Sequence, residues 1–540
     1  MAALLAAIMV LTTAACGGDA NQSSSSTQSA AEDSSKAEVS DTGAQESGYD
    51  THVDLSWYKE GITGHEINYD GDAFGQFWQD KFNVTIDLTA ATMDGSDWSE
   101  RLRIWINSGD MPDVAHWAFN YGELADYAAQ DAVYRFPDDW KERWPNAAKT
   151  QSYVPGAALA EEKLGGTYVL FRTIFANHRP SERLSHHELL YMRKDWMEAC
   201  GVEIKETYSP SELVEIAEKF RDQDPGGLGS QLVPISIHPY YMLKLYFTPP
   251  MDGYYKDENG QFQWAPADER TLESLKKYQN LYTSGLLDPE FYTLTRYEGT
   301  EKFYIGGTAG IVLDDGMCYM IQSRMEDGLQ KNLGLDPDEV MHIAQLVGED
   351  GKYHSREEMN FYGSIIFSPN LTDEEFERAM DILDFCSTEE GQEIINMGFE
   401  GEDWELDENG EYVSLLPNEI TGNASSILGS KYPSADVFFG GIIVVDDFQF
   451  VTPNYTKETR DIVSHFYELR DELSDETTLL PREYDYEFYS SRAKTQANMD
   501  LAEEYAQLIL KEGDLETNWK NWVDEKMQLV QPFLDELNQQ

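Results

Sequence analysis

The sequence predicts an α/β protein of two or more lobes with a ligand crevice, and three observations carry that expectation. The chain has 540 residues, too many for one compact core. It opens with a strand–helix–strand pattern. Val53 to Trp57 alternates apolar and polar residues, Phe74 to Phe82 carries a helical stripe, and Val84, Ile86 and Leu88 alternate again. Further on, Gly306 and Gly307 precede an apolar strand from Ala309 to Leu313, which runs into Asp314, Asp315 and Gly316. Carboxylates and a glycine just past a buried strand are what a crevice in an open α/β sheet uses.

Composition narrows the partners. Hydrophobic residues make up 41% of the chain, enough for real cores, while 99 Asp and Glu against 40 Lys and Arg give a formal net charge of -59. Such a surface repels nucleic acid and anionic membranes. Residues 1–15 form a short, uncharged apolar run, which reads as the core of a signal peptide rather than a transmembrane helix. Cys16 follows Thr13, Ala14 and Ala15. From 17 to 50 the chain is rich in Ser, Gln, Ala and acids and cannot bury a core, so it reads as a flexible tether spanning about 30 Å. The other three cysteines, Cys200, Cys318 and Cys386, are far apart and read as buried free thiols.

The remaining elements follow in order. Gly109 and Pro112 punctuate a short strand from Val114 to Trp117, and a helix begins near Glu123. Leu189 to Trp196 is a strand entering a helix. Ser209, Pro210 and Glu212 form a capping box with proline at the first helical position. Asp257 to Gly260 signals a hairpin, and Gly285 stops the helix that carries Leu272 and Leu275. Asn360 to Ser368 is an apolar strand, and Thr372 to Glu375 caps the next helix. Trp519 and Trp522 belong to a packed C-terminal helix.

Several stretches together resemble one family. Cys16 with its preceding residues resembles a bacterial lipobox. Ser108, Gly109, Pro112, Asp113 and Val114 match "S-G-x-x-P-D-V"; 189–196 resembles "Y-x-R-K-D-W"; 286–290 resembles "G-L-I-D-P-E"; 301–317 and 391–401 resemble two further segments. In this order they resemble extracellular solute-binding proteins of ABC importers, family 1, in the long lipid-anchored carbohydrate-binding branch. The resemblance implies a type II two-lobed fold, each lobe a mostly parallel sheet flanked by helices. Lobe one is expected at 50–185 and 355–435, lobe two at 186–354 and 436–540, with 1–15 as signal peptide and 16–50 as tether lipidated at Cys16.

No G-x-S-x-G, P-loop or G-x-G-x-x-G is present, and the near match at His187 puts Tyr191 where a second zinc-binding His is needed. Neither catalysis, a cofactor nor a metal site is expected. The loop at 224–234 keeps Asp224 but has Gly226, Leu228 and Leu232 where calcium needs oxygens.

A sugar site needs aromatic faces and polar groups. The candidates by position are Trp57 and Tyr58 at the end of the first strand, and Trp117, Asn120 and Tyr121 at the "PDV" strand. His238 and Tyr240 follow the Val233 strand. Asp314 and Asp315 either accept from sugar hydroxyls or cap the next helix, and Glu400 with Trp404 is a lesser pair. The resemblance implies a monomer on the outer face of the cytoplasmic membrane that hands an oligosaccharide to permease subunits. An extracellular carbohydrate-active enzyme and a peptide- or metal-binding lipoprotein are the alternatives.

Overall fold

The computed structural model describes residues 48–59, 67–89, 97–117, 121–238, 253–295, 297–418, 426–435, 441–480, 482, 486–487 and 489–539. Cys16, Asn120 and Tyr240 lie outside these residues. Among the described residues no helix is long and apolar enough to cross a membrane.

Two five-stranded sheets organise the chain. The first contains β1 (Val53–Tyr58), β2 (Val84–Leu88), β3 (Val114–Trp117), β4 (Leu170–Thr173) and, from much later in the sequence, β13 (Phe361–Phe367), in the order β2-β1-β3-β13-β4. The second has the order β6-β11-β5-β10-β7, from β5 (Glu188–Arg193), β6 (Thr207–Tyr208), β7 (Val233–Ser236), β10 (Ala309–Asp315) and β11 (Met341–Leu346). Small pairs add the hairpin β8 (Tyr254–Lys256)/β9 (Phe262–Trp264) and β12 (Ser355–Arg356), which pairs in parallel with Leu479–Leu480.

The α/β two-sheet architecture matches the expectation, but the sheets are mixed rather than mostly parallel. β1 runs parallel to β2 and β3, whereas β13 is antiparallel to both β3 and β4. In the second sheet β5 is antiparallel to β10 and β11, while β10 with β7 and β11 with β6 are parallel. The reason is connectivity. β5 and β13 are each entered from the other sheet's side of the molecule, not through a helical crossover on their own sheet, so the handedness rule that makes βαβ units parallel does not govern them.

Both sheets are covered on both faces, which is why β3, β5 and β10 read as unbroken buried runs. On the first sheet Leu55, Trp57, Val114, Ile365 and Phe367 face one core, and Tyr58, Ala115, Trp117, Phe171 and Ile366 face the other. The same alternation puts Leu190, Met192, Ile311 and Leu313 on one side of the second sheet, and Leu189, Tyr191 and Val312 on the other. Local signals were realised where expected. Ser209 and Glu212 close a capping box on helix Pro210–Gln223, and Thr372 with Glu375 does so on Asp373–Cys386. Cys200, Cys318 and Cys386 are buried free thiols. Trp522 stacks on Trp264 at 5.4 Å, and the Trp519 indole donates to the Pro266 carbonyl at 3.0 Å.

Three segments cross between the sheets and are tied together. Val444 bridges Thr173, Val445 N–H donates to the Thr173 carbonyl at 2.9 Å, and Glu358 N–H donates to the Leu184 carbonyl at 2.8 Å. Buried Asp447 accepts from the N–H groups of Ala176, Asn177 and His178 at 2.6, 3.0 and 2.9 Å. Ile442, Ile443 and Val444 pack in the core of the first sheet; Phe450 and Tyr455 pack against a core of the second, which helix Lys457–Leu473 joins through Val463, Phe466 and Tyr467.

Candidate functional site

The aromatics expected at strand tips are buried. Trp57 is 0% exposed and Tyr58 1%, with Tyr58 edge-on to Trp105 at 5.2 Å. Trp117 is 2% exposed and edge-on to Tyr127 at 6.2 Å. All three side chains pack in the cores of the first sheet. Alternate residues of a strand go to opposite faces, and both faces here lie under helices, so even the last residues of β1 and β3 are enclosed.

Asp314 and Asp315 are enclosed as well. β10 does not end at Leu313 but continues through Asp315, pairing Asp314 with Leu189 and Asp315 with Glu188. Both carboxylates are buried and engaged. Asp314 accepts from Arg324 Nε at 3.2 Å, and His187 Nε2 lies 3.4 Å from Asp315 Oδ1. Neither caps the following helix, whose N-cap is Met317. Burial pushes the Asp314 carboxyl up to about 6 against the pull of Arg324. Burial also disfavours the His187 cation, yet Asp315, Glu188 and Glu358 outweigh it and hold the imidazole up at about 9. This network belongs to the crossover region, where Asp446, pushed up to about 6 by burial, is also felt by His187 and Arg172. His238 is half-buried beside the first turn of helix Glu298–Tyr304. Trp404 is buried with its indole on the Gly398 carbonyl at 3.0 Å, and Glu400 is exposed.

Tyr121 is the expected residue that reaches a cavity. It stands at the start of helix Tyr121–Ala129 and, with Glu123 and Asp126 of the same helix, forms one wall of a pocket of about 580 Å³. That volume is within the roughly 300–1,000 Å³ of small-molecule sites. Met359, from the crossover that leads into β13, also lines it. The facing wall comes from the second-sheet side: Tyr254 and Trp264 of the β8–β9 hairpin, Phe533 of helix Leu515–Leu537, and the segment from Arg482 to Leu501. The pocket therefore lies where elements attached to the two sheets meet, and Ser490 Oγ donates across it to Asp126 at 2.9 Å.

The facing wall is aromatic and polar at once. Tyr254 is edge-on to Tyr486 at 5.4 Å and to Phe533 at 5.2 Å, and Tyr489 lies 6.1 Å from Phe533. Burial pushes the Tyr254 phenol well up. Arg482 Nε pairs with Glu487 at 3.1 Å, and Lys494 Nζ donates to the Glu487 carbonyl at 2.6 Å. Burial lowers Lys494 to about 8. Ser490, Ser491, Thr495 and Asn498 add hydroxyl and amide groups. Aromatic faces between fixed donors and acceptors can hold a ring with an apolar face and a polar rim.

Sequence reasoning missed this wall. Read as part of a helical C-terminus, the stretch 482–501 holds a signal that was there to find: Tyr484, Tyr486, Phe488 alternate with Asp485 and Glu487 before Tyr489, Ser490 and Ser491. A period of two in an aromatic run fits no helix. For metals, no group of three or more His, Cys, Asp or Glu side chains is placed to hold an ion among the described residues. In the 224–234 loop the Asp224 carboxylate accepts from Leu228 N–H and Gly229 N–H, both at 2.9 Å.

Two five-stranded sheets, linked by the crossing segments, thus carry elements that meet around a pocket. Comparison with known proteins gives the class. Residues 66–393 match the family described as bacterial extracellular solute-binding protein, and the chain belongs to that family. It is 24% identical over 211 residues to the fructooligosaccharide ABC transporter substrate-binding protein FusA of Streptococcus pneumoniae, a stretch covering 36% of this chain and 38% of the relative's length. Among solved structures, the alginate-binding protein AlgQ2 superposes with a TM-score of 0.60 at 16% identity, over 91% of this chain and 98% of that one. An extracellular solute-binding protein from Bifidobacterium longum subsp. infantis does so with a TM-score of 0.61 at 14% identity, over 91% and 100%. At these identities the likeness is one of fold.

Proposed function

We infer that the chain is the substrate-binding component of a carbohydrate ABC importer, taking an oligosaccharide into the pocket between its lobes and presenting it to permease subunits. The observation that carries this reading is the pocket itself: about 580 Å³, with tyrosines and a tryptophan interleaved with hydroxyl, amide and charged groups. The relative named for fructooligosaccharides and the structure named for alginate support a sugar ligand. Lobe one takes 50–185 and 355–435, with the later segment 441–445 added to it, and lobe two takes 186–354 and the rest of the C-terminal part. Tyr121 is the residue retained from the strand-tip set. Asn120, His238 and Tyr240 are proposed as further contacts from their positions in the sequence. A ligand touching both lobes stabilises the closed state by its differential affinity, and no covalent step is needed. Lipidation at Cys16 tethers the monomeric protein on the outer face of the membrane.

The test is a thermal-shift and calorimetric screen of the whole protein against neutral and charged oligosaccharides, with small-angle scattering on the best ligand. Stabilisation, a smaller radius of gyration and recovery of the oligosaccharide intact are expected. Turnover of the sugar points to an enzyme instead, and stabilisation by peptides or metal ions alone overturns the carbohydrate reading.

A further inference from the structure

Among the described residues, five charged side chains line the cleft pocket: Glu123, Asp126, Arg482, Glu487 and Lys494. Four of them are answered. Glu123 pairs with Arg103 at 3.0 Å, Asp126 accepts from Ser490 at 2.9 Å, and Arg482 pairs with Glu487 at 3.1 Å. Lys494 differs. Its ammonium donates to the Glu487 main-chain carbonyl at 2.6 Å, while the Glu487 carboxylate is turned to Arg482. Among the described residues no carboxylate lies within ion-pair distance of Lys494. An ammonium has three donors, so two remain for whatever enters.

The stem is held in place. Lys494 sits in helix Arg492–Ala497, and its N–H donates to the N-cap Ser491 Oγ at 3.0 Å. Ala493 and Ala497 of that helix join the core that contains Phe533 of the last helix. Among the described residues, the rest of the wall supplies aromatic, hydroxyl and amide groups and no further anion. Partial burial lowers the Lys494 pKa to about 8, with Glu487 the group that opposes it. A partly desolvated cation with no carboxylate at ion-pair distance among the described residues is uncommon, since buried charges are ordinarily paired. The chain's net charge of -59 repels acidic ligands at a distance, but beyond about 8 Å salt screens that field, and inside the pocket the local ammonium dominates.

We propose that the pocket takes an oligosaccharide bearing a carboxylate, and that Lys494 is the side chain that meets this group. The proposal rests on the oligosaccharide reading above. The carboxylate accepts from the free ammonium donors while Tyr254, Tyr486 and Tyr489 face the sugar rings, and a neutral analogue leaves the ammonium with weaker hydroxyl or water partners.

The experiment is titration calorimetry on the whole protein at neutral pH with matched pairs: galacturonate oligosaccharides against galacto-oligosaccharides of equal length, and sialylated against asialo N-acetyllactosamine oligosaccharides. In at least one pair the acidic member should bind about tenfold or more tighter, the size of one charge-assisted contact. Lys494→Met should bring that ratio close to one, and Lys494→Arg should keep a preference for the acid. Melting curves of both variants establish that they are folded. Neutral members binding as tightly as acidic ones in every pair overturns the proposal and leaves the oligosaccharide reading standing. So does a preference that survives in Lys494→Met. If no member of any pair binds, the oligosaccharide reading fails and takes this proposal with it.

Discussion

Asp447 is a single buried carboxylate that ties the first crossing to the third. It is 1% exposed and accepts three consecutive main-chain N–H groups, with Ala176 and His178 on Oδ1 and Asn177 on Oδ2. Asp447→Ala removes the acceptor and leaves those three donors facing an apolar methyl. A hydrogen bond to a charged group contributes about 1.5–3 kcal/mol, and a buried donor left unmade costs about 1–3 kcal/mol. The three bonds share one charge and are not additive, so a loss of roughly 3–5 kcal/mol is expected, near the top of the range for single substitutions. Asp447→Asn should lose about half as much, because its carbonyl oxygen can keep the Ala176 and His178 bonds while its amide meets the Asn177 N–H head-on. Calorimetry should show the transition lowered by roughly 3–5 °C in Asp447→Ala, with the urea midpoint moving in the same order, wild type above Asn above Ala. An alanine variant that melts within about 2 °C of wild type would refute the argument that these bonds hold the crossings together.

Three further outcomes follow from the site and its surroundings. His187 is held up at about 9 in the fold against 6.5 unperturbed. Its contribution is therefore fully present below pH 6.5 and lost as pH rises through 9, so urea stability should fall by about 2 kcal/mol over that window in wild type and much less in His187→Gln; equal slopes would count against the His187–Asp315 pair. Trp117→Ala should cost roughly 3–5 kcal/mol of stability as a core truncation, whereas Tyr489→Ala should weaken oligosaccharide binding by about 1–3 kcal/mol with a small change in melting temperature. A reversal of those two effects would return Trp117 to the ligand surface. Melting with excess chelator should match melting in millimolar calcium, because the Asp224 carboxylate is spent on two N–H groups of its own loop; a chelator-induced drop that Asp224→Ala abolishes would show a bound ion there.

The sequence was most legible where a local rule fixes the answer. Both capping boxes, the hairpin at Asp257 and the helix stop before Gly285, whose φ is 70°, formed as read, because each depends on a few neighbouring residues. The two-lobed α/β architecture was also readable, from length and from the order of the resembling segments. What escaped depends on neighbours distant in sequence. Nothing near Leu313 says that β10 runs on through two aspartates; that is decided by β5 offering Leu189 and Glu188 as partners. Likewise the burial of Trp57 and Trp117 is decided by helices laid over both faces of the sheet. The pocket wall at 482–501 was missed for a different reason: its aromatic alternation was visible, but it was absorbed into a long helical reading of the C-terminus.

The place of β13 sets a timetable for the nascent chain. This strand is wedged between β3 and β4, yet it is encoded about 190 residues after β4. At the usual rates of synthesis roughly 10–40 s separate the emergence of those neighbours from that of the strand that joins them. During that interval the first sheet exists as two unjoined edges, with apolar Val114, Ala115, Leu170 and Phe171 waiting for Ile365 and Ile366. The second sheet, whose five strands are all encoded between residues 188 and 346, can finish before the first does. Of the two sheets, the one that starts the chain is thus the last to close, and a ribosome paused before residue 361 holds a polypeptide with its first sheet open down the middle.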